Sequence, residues 1–267
     1  MYRRAGAELF GPTRILLQEK LMPETARKVA DINLAFWLMK ICATTLGETA
    51  GDLVSMTLSL GYGLSTVLLM GLFLLSFLAQ IRARSFHPLL FWMVILTTST
   101  AGTTLSDFMD RTLGLGYATG AALLSVGLLL VLTLWYLVEG SLAVSRIATR
   151  RAEAFYWSAI LFSNTLGTAA GDYLADDSGL GFLASAALIA AAIMALAGAH
   201  YFTRINRVAL FWLAFVLTRP FGATFGDLLT KPSVEGGLAL GTAGSSLVLA
   251  TILVALIGIS YRPRLRY

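Results

Sequence analysis

The chain has 267 residues, of which 57% are hydrophobic and 13% are charged. A soluble domain of this length needs a larger charged surface, so the composition indicates an integral membrane protein. The formal net charge of +5 comes from basic residues at the joints between apolar stretches, and no aromatic-interleaved basic groove suggests a nucleic-acid partner. The single cysteine, Cys42, and the two distant histidines, His87 and His200, argue against a zinc, copper or haem site.

Taken in chain order, the predicted elements are a short lead-in and eight apolar spans. Residues 1–30 carry dispersed basic residues and two prolines, which is typical of a cytoplasmic or interfacial segment and not of a signal peptide. The spans that follow are each about 20 residues long, enough to cross a hydrocarbon core of about 30 Å. They are predicted at 31–56, 62–81, 88–109, 115–138, 153–175, 180–201, 208–230 and 237–260. We therefore expect an all-α membrane protein with eight transmembrane helices, in which residues 31–267 form a single transmembrane domain.

One two-helix unit occurs four times along these spans. In each unit a tryptophan is followed ten residues later by a glycine and fifteen residues later by an aspartate. The four sets are Trp37, Gly47, Asp52; Trp92, Gly102, Asp107; Trp157, Gly167, Asp172; and Trp212, Gly222, Asp227. Such fixed self-similarity marks a tandem-repeat protein, with repeats at approximately 31–84, 88–146, 153–204 and 208–262. The first two units match the last two at a constant offset of 120 residues, which indicates two rounds of duplication.

The distribution of lysine and arginine predicts the orientation in the membrane. Each unit crosses the membrane twice, so the four repeats enter from the same side and are parallel. Nearly all basic residues lie in the N-terminal segment and after the second span of each unit, whereas the opposite joints hold only Arg111 and Lys231. By the positive-inside rule, both termini are expected to lie in the cytoplasm of a cell whose inner membrane holds the protein.

Polarity separates the two spans of each unit. The first spans are rich in threonine and carry the aspartates, whereas the second spans consist mainly of leucine, alanine and valine. Because polar groups need partners inside a membrane, we expect the odd-numbered helices to form an inner ring. The repeat glycines are expected to allow close helix packing. The repeat tryptophans are expected to be interfacial anchors near the cytoplasmic face.

The repeat aspartates are candidate ion ligands. Fifteen residues of helix span about 22 Å, so each aspartate is expected in the outer half of the membrane. There they either cap the ends of their own helices or converge as a ring of oxygens. Unit one adds Glu48 one helical turn before Asp52. The candidate ion-binding and metal-ligating residues are Glu48, Asp52, Asp107, Asp172 and Asp227.

Two basic residues inside the spans distinguish individual units. Lys40 lies one turn after Trp37, and unit four has Arg219 and Pro220 where the other units have neutral polar pairs. A buried arginine requires a carboxylate, and Glu48 is the predicted partner. We expect Lys40 and Arg219 to balance the charge of the carboxylates when the site is empty, or to gate the transport pathway. The pair is either a static lock between repeats or a proton-coupled switch at a helix break caused by Pro220.

At its four Trp-x9-Gly-x4-Asp units the chain resembles a bacterial family of membrane proteins with four tandem copies of a "repeat of unknown function". The resemblance covers nearly all of the chain after residue 30. It implies the two-span repeat and supplies no activity. The segment 48–52 is also similar to the Glu-x-Gly-Asp motifs of certain manganese and calcium transporters, with one extra residue, in one unit only and with no basic residue following.

These features predict a transporter for a small hard cation such as Mn²⁺, Mg²⁺ or Ca²⁺, because the inner ring offers oxygen ligands and no clustered sulfur or imidazole. The cation would be the substrate, the lipid bilayer the other partner, and no further cofactor is expected. The sequence has no nucleotide-binding motif, so a proton or ion gradient would drive transport. A pseudo-fourfold cation channel and a structural or binding protein with capping aspartates stay open, and Arg219 also leaves an anion substrate open. With no recognisable nucleophile–base pair, an enzyme is not expected.

Overall fold

The computed structural model describes residues 28–147 and 149–261, and within those ranges it is all-helical. Most of the predicted lead-in, residues 1–27, lies outside the described residues. The described chain contains eight long α-helices: α1 Leu34–Asp52, α2 Gly61–Arg82, α3 Pro88–Asp107, α4 Tyr117–Glu139, α5 Arg150–Asp172, α6 Gly181–Phe202, α7 Arg207–Thr230 and α8 Thr242–Ser260. Two 3₁₀ turns, Val144–Arg146 and Ser233–Glu235, lie in the connections.

Three of the odd-numbered helices continue beyond the repeat aspartate as a single π-helical turn. These turns are Leu53–Thr57 after α1, Phe108–Thr112 after α3 and Tyr173–Asp177 after α5. In contrast, α7 stays α-helical to Thr230. The aspartates of the first three repeats thus lie at a junction of α- and π-helix, a feature that often accompanies functional sites.

The predicted eighth span, 237–260, is shorter in the structure, where α8 begins at Thr242. Gly236 and Gly241 have φ angles of 86° and 77°, and Ala239 has a φ angle of 55°. These angles lie outside the right-handed helical region, so the first residues of the predicted span form a loop instead.

The odd-numbered helices form a closed inner ring, as predicted. Helix α1 contacts α3, α3 contacts α5, α5 contacts α7, and α7 returns to α1. Each even-numbered helix packs against the first helix of the next repeat: α2 on α3, α4 on α5, α6 on α7, and α8 on α1. The repeats therefore interlock, and the last repeat closes the ring by covering the first.

The repeat glycines allow this ring to close tightly, which confirms their predicted packing role. A Cβ atom added to each glycine would collide with the next inner helix of the ring. It would meet the residue seven positions after the tryptophan of that next helix, or the residue that follows it. The atom nearest to the added Cβ is Ser99 Oγ at Gly47, Thr165 N at Gly102, Arg219 Cγ at Gly167 and Thr44 Cβ at Gly222, in each case at 3.0 Å or less. Only a residue without a side chain permits so close an approach of two helices.

Among the described residues, six helices are long and apolar enough to cross a membrane: α2, α3, α4, α6, α7 and α8. The inner helices α1 and α5 do not meet that criterion because they are rich in polar residues, such as the threonines of α1 and the segment Ser163–Thr165 of α5, in addition to Lys40, Glu48 and Glu153. The even-numbered helices leave most of their apolar side chains exposed. This arrangement indicates a membrane protein with an apolar outer layer around a polar inner ring.

The tryptophans differ from the expectation of interfacial anchors. Trp92, Trp157 and Trp212 are 1%, 0% and 6% exposed, and only Trp37 is partly exposed. They pack in an aromatic core at the end of the ring opposite the aspartates, because neighbouring repeats supply large rings there. The other members of this core are Phe36, Phe91, Trp135, Tyr156 and Phe215. These repeat tryptophans are therefore buried in the protein core, and the anchoring prediction is wrong for three of the four.

Candidate functional site

The four repeat aspartates are buried at the end of the ring away from the aromatic core. Asp52, Asp107, Asp172 and Asp227 are between 2% and 4% exposed. At the first three of these positions the side chain forms no capping hydrogen bond with the π turn that follows. The alternative in which each aspartate caps its own helix end therefore does not describe these three.

Instead, the aspartates are joined in pairs by two basic side chains. Lys231 Nζ lies 2.8 Å from Asp52 Oδ2 and 3.3 Å from Asp227 Oδ1. Arg111 Nε lies 3.0 Å from Asp107 Oδ1 and its Nη2 lies 3.1 Å from Asp172 Oδ2. Each basic residue follows the aspartate of its own repeat by four positions. It also reaches the aspartate of the next repeat around the ring, which for Lys231 is the first repeat. The aspartates thus converge through shared counter-ions.

Sequence reasoning missed the role of Arg111 and Lys231, although a signal was present. The two residues are 120 positions apart, which is the offset of the internal duplication, and each follows its aspartate at helical spacing. The equivalent residues of the other two repeats, Met56 and Asp176, are not basic. The site therefore has approximate twofold symmetry, with one bridging cation in each half of the chain.

The two bridges differ in chemistry. Arg111 presents a planar fork and also lies near the rings of Tyr62 and Tyr117, at 5.8 and 5.6 Å from their centroids. Lys231 is a compact ammonium at the end of α7. Burial acts to lower the pKa of Lys231, but the carboxylates of Asp227 and Asp52 outweigh it and raise the pKa above its usual value. Lys231 is therefore a firmly charged ammonium at neutral pH.

A third carboxylate joins the pair that Lys231 bridges. Glu48, Asp52 and Asp227 each offer one oxygen, and these oxygens lie within 4.8 Å of one another. We call these three residues the carboxylate cluster. Glu48 and Asp227 come together because α7 approaches α1 at Gly226, where an added Cβ would lie 2.9 Å from Glu48 Cβ. The structure thus brings together three of the five predicted ligands, and Asp107 and Asp172 form the second pair.

Arg219 is fully buried and crosses the interior of the ring. Its Nη2 donates to Glu48 Oε2 at 2.8 Å, which confirms the predicted pairing across repeats one and four. The same nitrogen donates to Thr103 Oγ1 at 2.5 Å and to Thr168 Oγ1 at 2.6 Å. These three acceptors stand at the same position, eleven residues after the tryptophan, in the first three repeats. Arg219 therefore ties the fourth repeat to all the others.

Pro220 lies inside α7, which continues as one helix from Arg207 to Thr230. The predicted helix break at this residue is therefore absent. The ring Cδ of Pro220 packs against α5 at Gly167, where an added Cβ would approach it to 2.9 Å. Since proline has no N–H group to donate, the packing against the neighbouring helix supports the segment.

Lys40 is fully buried but does not reach the carboxylate cluster. Its Nζ lies 3.4 Å from Asn164 Oδ1 and 4.3 Å from the ring centroid of Phe215. Within the described ranges no carboxylate pairs with this ammonium. Lys40 lies about two helical turns closer to the aromatic core than Glu48. Lys40 and Arg219 were predicted together, and the structure places only Arg219 against a carboxylate.

Comparison with known proteins agrees with the internal repeat. The family model described as Repeat of Unknown Function (DUF347) matches four times, at residues 35–86, 90–141, 155–206 and 210–265. Each match covers one of the two-helix units. No curated protein and no solved structure is detectably similar to the chain. Since the four matches cover most of its length, the chain belongs to the Repeat of Unknown Function (DUF347) family.

Proposed function

We propose that the protein is a multi-pass membrane transporter that moves a small hard cation through the carboxylate cluster. The observation that carries this proposal is the approach of Glu48, Asp52 and Asp227 oxygens to within 4.8 Å of one another inside the ring. Carboxylates are expensive to bury in a membrane protein and are retained there mainly for function. Three of them meeting between the first and fourth repeats support an ion site.

The proposal takes all eight helices to cross the membrane. The charged residues of α1 and α5 do not oppose this, because Lys40, Glu48 and Glu153 are buried inside the molecule and are not exposed to lipid. The concentration of lysine and arginine after the even-numbered helices supports cytoplasmic termini. In this orientation the carboxylate cluster lies towards the outside and the aromatic core towards the cytoplasm.

The oxygens of the carboxylate cluster are close enough to share one ion. Ligand oxygens lie at about 2.3–2.6 Å from Ca²⁺ and at about 2.0–2.1 Å from Mg²⁺. Three carboxylate oxygens within 4.8 Å of one another are therefore compatible with a common small hard cation.

The bound basic groups suggest how such a site works. Lys231 occupies the position between Asp52 and Asp227 that a cation would take, at 2.8 and 3.3 Å. Arg219 likewise holds Glu48. Entry of a divalent cation requires the Lys231 ammonium to leave, so Lys231 acts as a tethered competitor. We infer gradient-coupled exchange, in which the empty site is refilled by its own counter-ion.

Arg219 favours a transporter over a channel. A pseudo-fourfold cation channel needs an open axis, whereas the Arg219 guanidinium contacts α1, α3 and α5 across the ring interior. A fixed positive charge on the axis opposes free cation flow. The pairing of every repeat aspartate with a basic residue favours one further candidate, a structural membrane protein whose ring is held by these ion pairs.

Cation flux into proteoliposomes tests the proposal. The variants Asp52→Asn and Asp227→Asn remove one ligand charge each, and both should abolish uptake of Mn²⁺ or Ca²⁺. Asp177→Asn is the matched control, because Asp177 is an exposed carboxylate in a π turn outside the cluster. Flux that is unchanged in the two cluster variants would reject the site, and a current that needs no counter-ion would favour the channel.

A further inference from the structure

Two buried basic side chains lie inside the ring between the carboxylate cluster and the aromatic core. Lys40 and Arg219 are both 0% exposed. Lys40 extends from α1 to contact Asn164 on α5 and Phe215 on α7, and Arg219 extends from α7 to α1, α3 and α5. Among the described residues, Glu48 is the one carboxylate paired with either of them. This layer therefore holds two basic groups and a single acidic one.

The donors of these two side chains exceed the acceptors around them. Arg219 Nη2 makes all the hydrogen bonds of that guanidinium, while Nε and Nη1 are buried without a partner in the described structure. Those two nitrogens carry three N–H groups. Lys40 Nζ has one long contact, at 3.4 Å to Asn164 Oδ1. Buried donors without acceptors are costly, especially on charged groups, so this arrangement calls for an acceptor.

By repeat symmetry, Ser163 and Arg219 stand at the positions of a hydrogen-bonded pair in the preceding repeats. Asn164 Nδ2 donates to Thr98 Oγ1 of the preceding repeat at 3.0 Å. Arg219 stands at the position of Asn164 in the next repeat, and Ser163 stands at the position of Thr98. The Ser163 hydroxyl is buried and also has no hydrogen-bond partner. An unpartnered hydroxyl and an unpartnered guanidinium edge therefore occupy adjoining positions of α5 and α7.

We propose that a small inorganic anion of the halide class binds between Lys40 and Arg219, with the Ser163 hydroxyl as a further donor. An anion accepts the orphaned N–H groups and also favours the protonated form of Lys40, whereas a water molecule does only the first. The tight packing of the helices at the repeat glycines favours a monatomic anion over a bulky oxyanion. This site is distinct from the carboxylate cluster and does not depend on the proposed cation transport.

Halide-dependent thermal stability tests the proposal on the purified full-length protein. The melting temperature is measured in gluconate salt and in chloride or bromide salt, with the ionic strength held constant. A specific site raises the melting temperature by an equal increment for each tenfold increase in halide above its dissociation constant. Lys40→Met should weaken this response while leaving the Arg219–Glu48 pair intact, and Arg219→Lys should weaken it as well. Arg151→Gln, which removes an exposed surface charge, should keep the full response.

Two results of the melting experiment would overturn the proposal. One is a wild-type protein whose melting temperature is the same in gluconate and halide, and the other is an equal halide response in wild type and Lys40→Met. Because Lys40→Met leaves the ion pair in place, it decides the question even where Arg219→Lys fails to fold. Crystals grown in bromide locate the site independently. The expected anomalous peak lies within hydrogen-bonding distance of Arg219 Nε or Nη1, and ordered water alone at that place would contradict the proposal.

Discussion

Lys231 and Arg111 stand at equivalent positions of the internal duplication, yet only Lys231 faces a third carboxylate. Each bridges the aspartate of its own repeat to that of the next. The third carboxylate near Lys231 is Glu48, eleven positions after Trp37. The equivalent residue of the other half, eleven positions after Trp157, is the uncharged Thr168. The two halves of the site are thus related by symmetry but differ in charge, and this difference can be measured.

Removing the bridging basic residue should increase divalent cation binding more at the Lys231 bridge than at the Arg111 bridge. Lys231→Met leaves Asp52 and Asp227 without their bridge, next to Glu48, so we expect the Mn²⁺- or Ca²⁺-dependent rise in melting temperature to grow. Arg111→Met is the symmetry-matched control, and its gain should be smaller because Thr168 brings no third charge. Equal gains in the two variants would show that Glu48 does not contribute to the site.

The ion pair between Arg219 and Glu48 should be strongly coupled in stability. Arg219→Met leaves Glu48 as a buried, unpaired carboxylate and should destabilise the protein by about 3–5 kcal/mol. Glu48→Gln in the same chain removes that charge, so the double variant should recover part of the loss. Thermal or denaturant unfolding of the wild type, both single variants and the double variant gives the coupling energy. Simple additivity of the two single effects would contradict a direct pair.

The close approach of α7 to α1 should make Gly222 intolerant of even a methyl group. An added Cβ would lie 2.8 Å from the backbone carbonyl carbon of Thr44, which cannot move independently of its helix. We expect Gly222→Ala to lower stability by about 1–3 kcal/mol through overpacking. Gly71→Ala is the control, since nothing lies within 4 Å of its added Cβ. That change should be neutral or stabilising, by up to about 1 kcal/mol, and a stable Gly222→Ala protein would argue against the ring geometry.

The bridge made by Lys231 should persist to alkaline pH. Its pKa is raised in the folded protein, so its stabilising contribution is fully present below the pKa of an unfolded lysine, about 10.4, and is lost only as the pH rises through the higher folded value. The difference in melting temperature between wild type and Lys231→Met should therefore stay constant from about pH 7 to about pH 9. A difference that disappears within this range would indicate that burial outweighs Asp52 and Asp227 and lowers the pKa of Lys231 instead.

The proposed orientation can be checked with single cysteines in a Cys42→Ala background. Ser178 and Ser85 are exposed and lie at opposite ends of the helices, after α5 and after α2 respectively. In intact cells a membrane-impermeant maleimide should label Ser178→Cys. It should label Ser85→Cys only after the membrane is permeabilised. The reverse pattern would place the carboxylate cluster on the cytoplasmic side.

Much of the architecture follows from the sequence by itself, because it depends on spacing along single helices. The offsets among Trp37, Gly47 and Asp52 recur in every unit and define the repeat. Polar residues concentrate in the first helix of each unit, which predicts the inner ring, since such groups need partners away from lipid. The pairing of Arg219 with Glu48 was also predictable, because a buried arginine needs a carboxylate at a similar depth and Glu48 offers one.

Apart from the Arg219–Glu48 pair, the contacts between different helices were decided only by the tertiary structure. That Lys231 joins Asp52, 179 positions away, depends on the closure of α7 onto α1 and on the rotation of both helices. The packing of each even-numbered helix on the following repeat, and the burial of Trp157 in an aromatic core, depend on the same closure. Spacing determines the depth and face of a side chain on its own helix, whereas its neighbours are determined by which helices the ring places beside it.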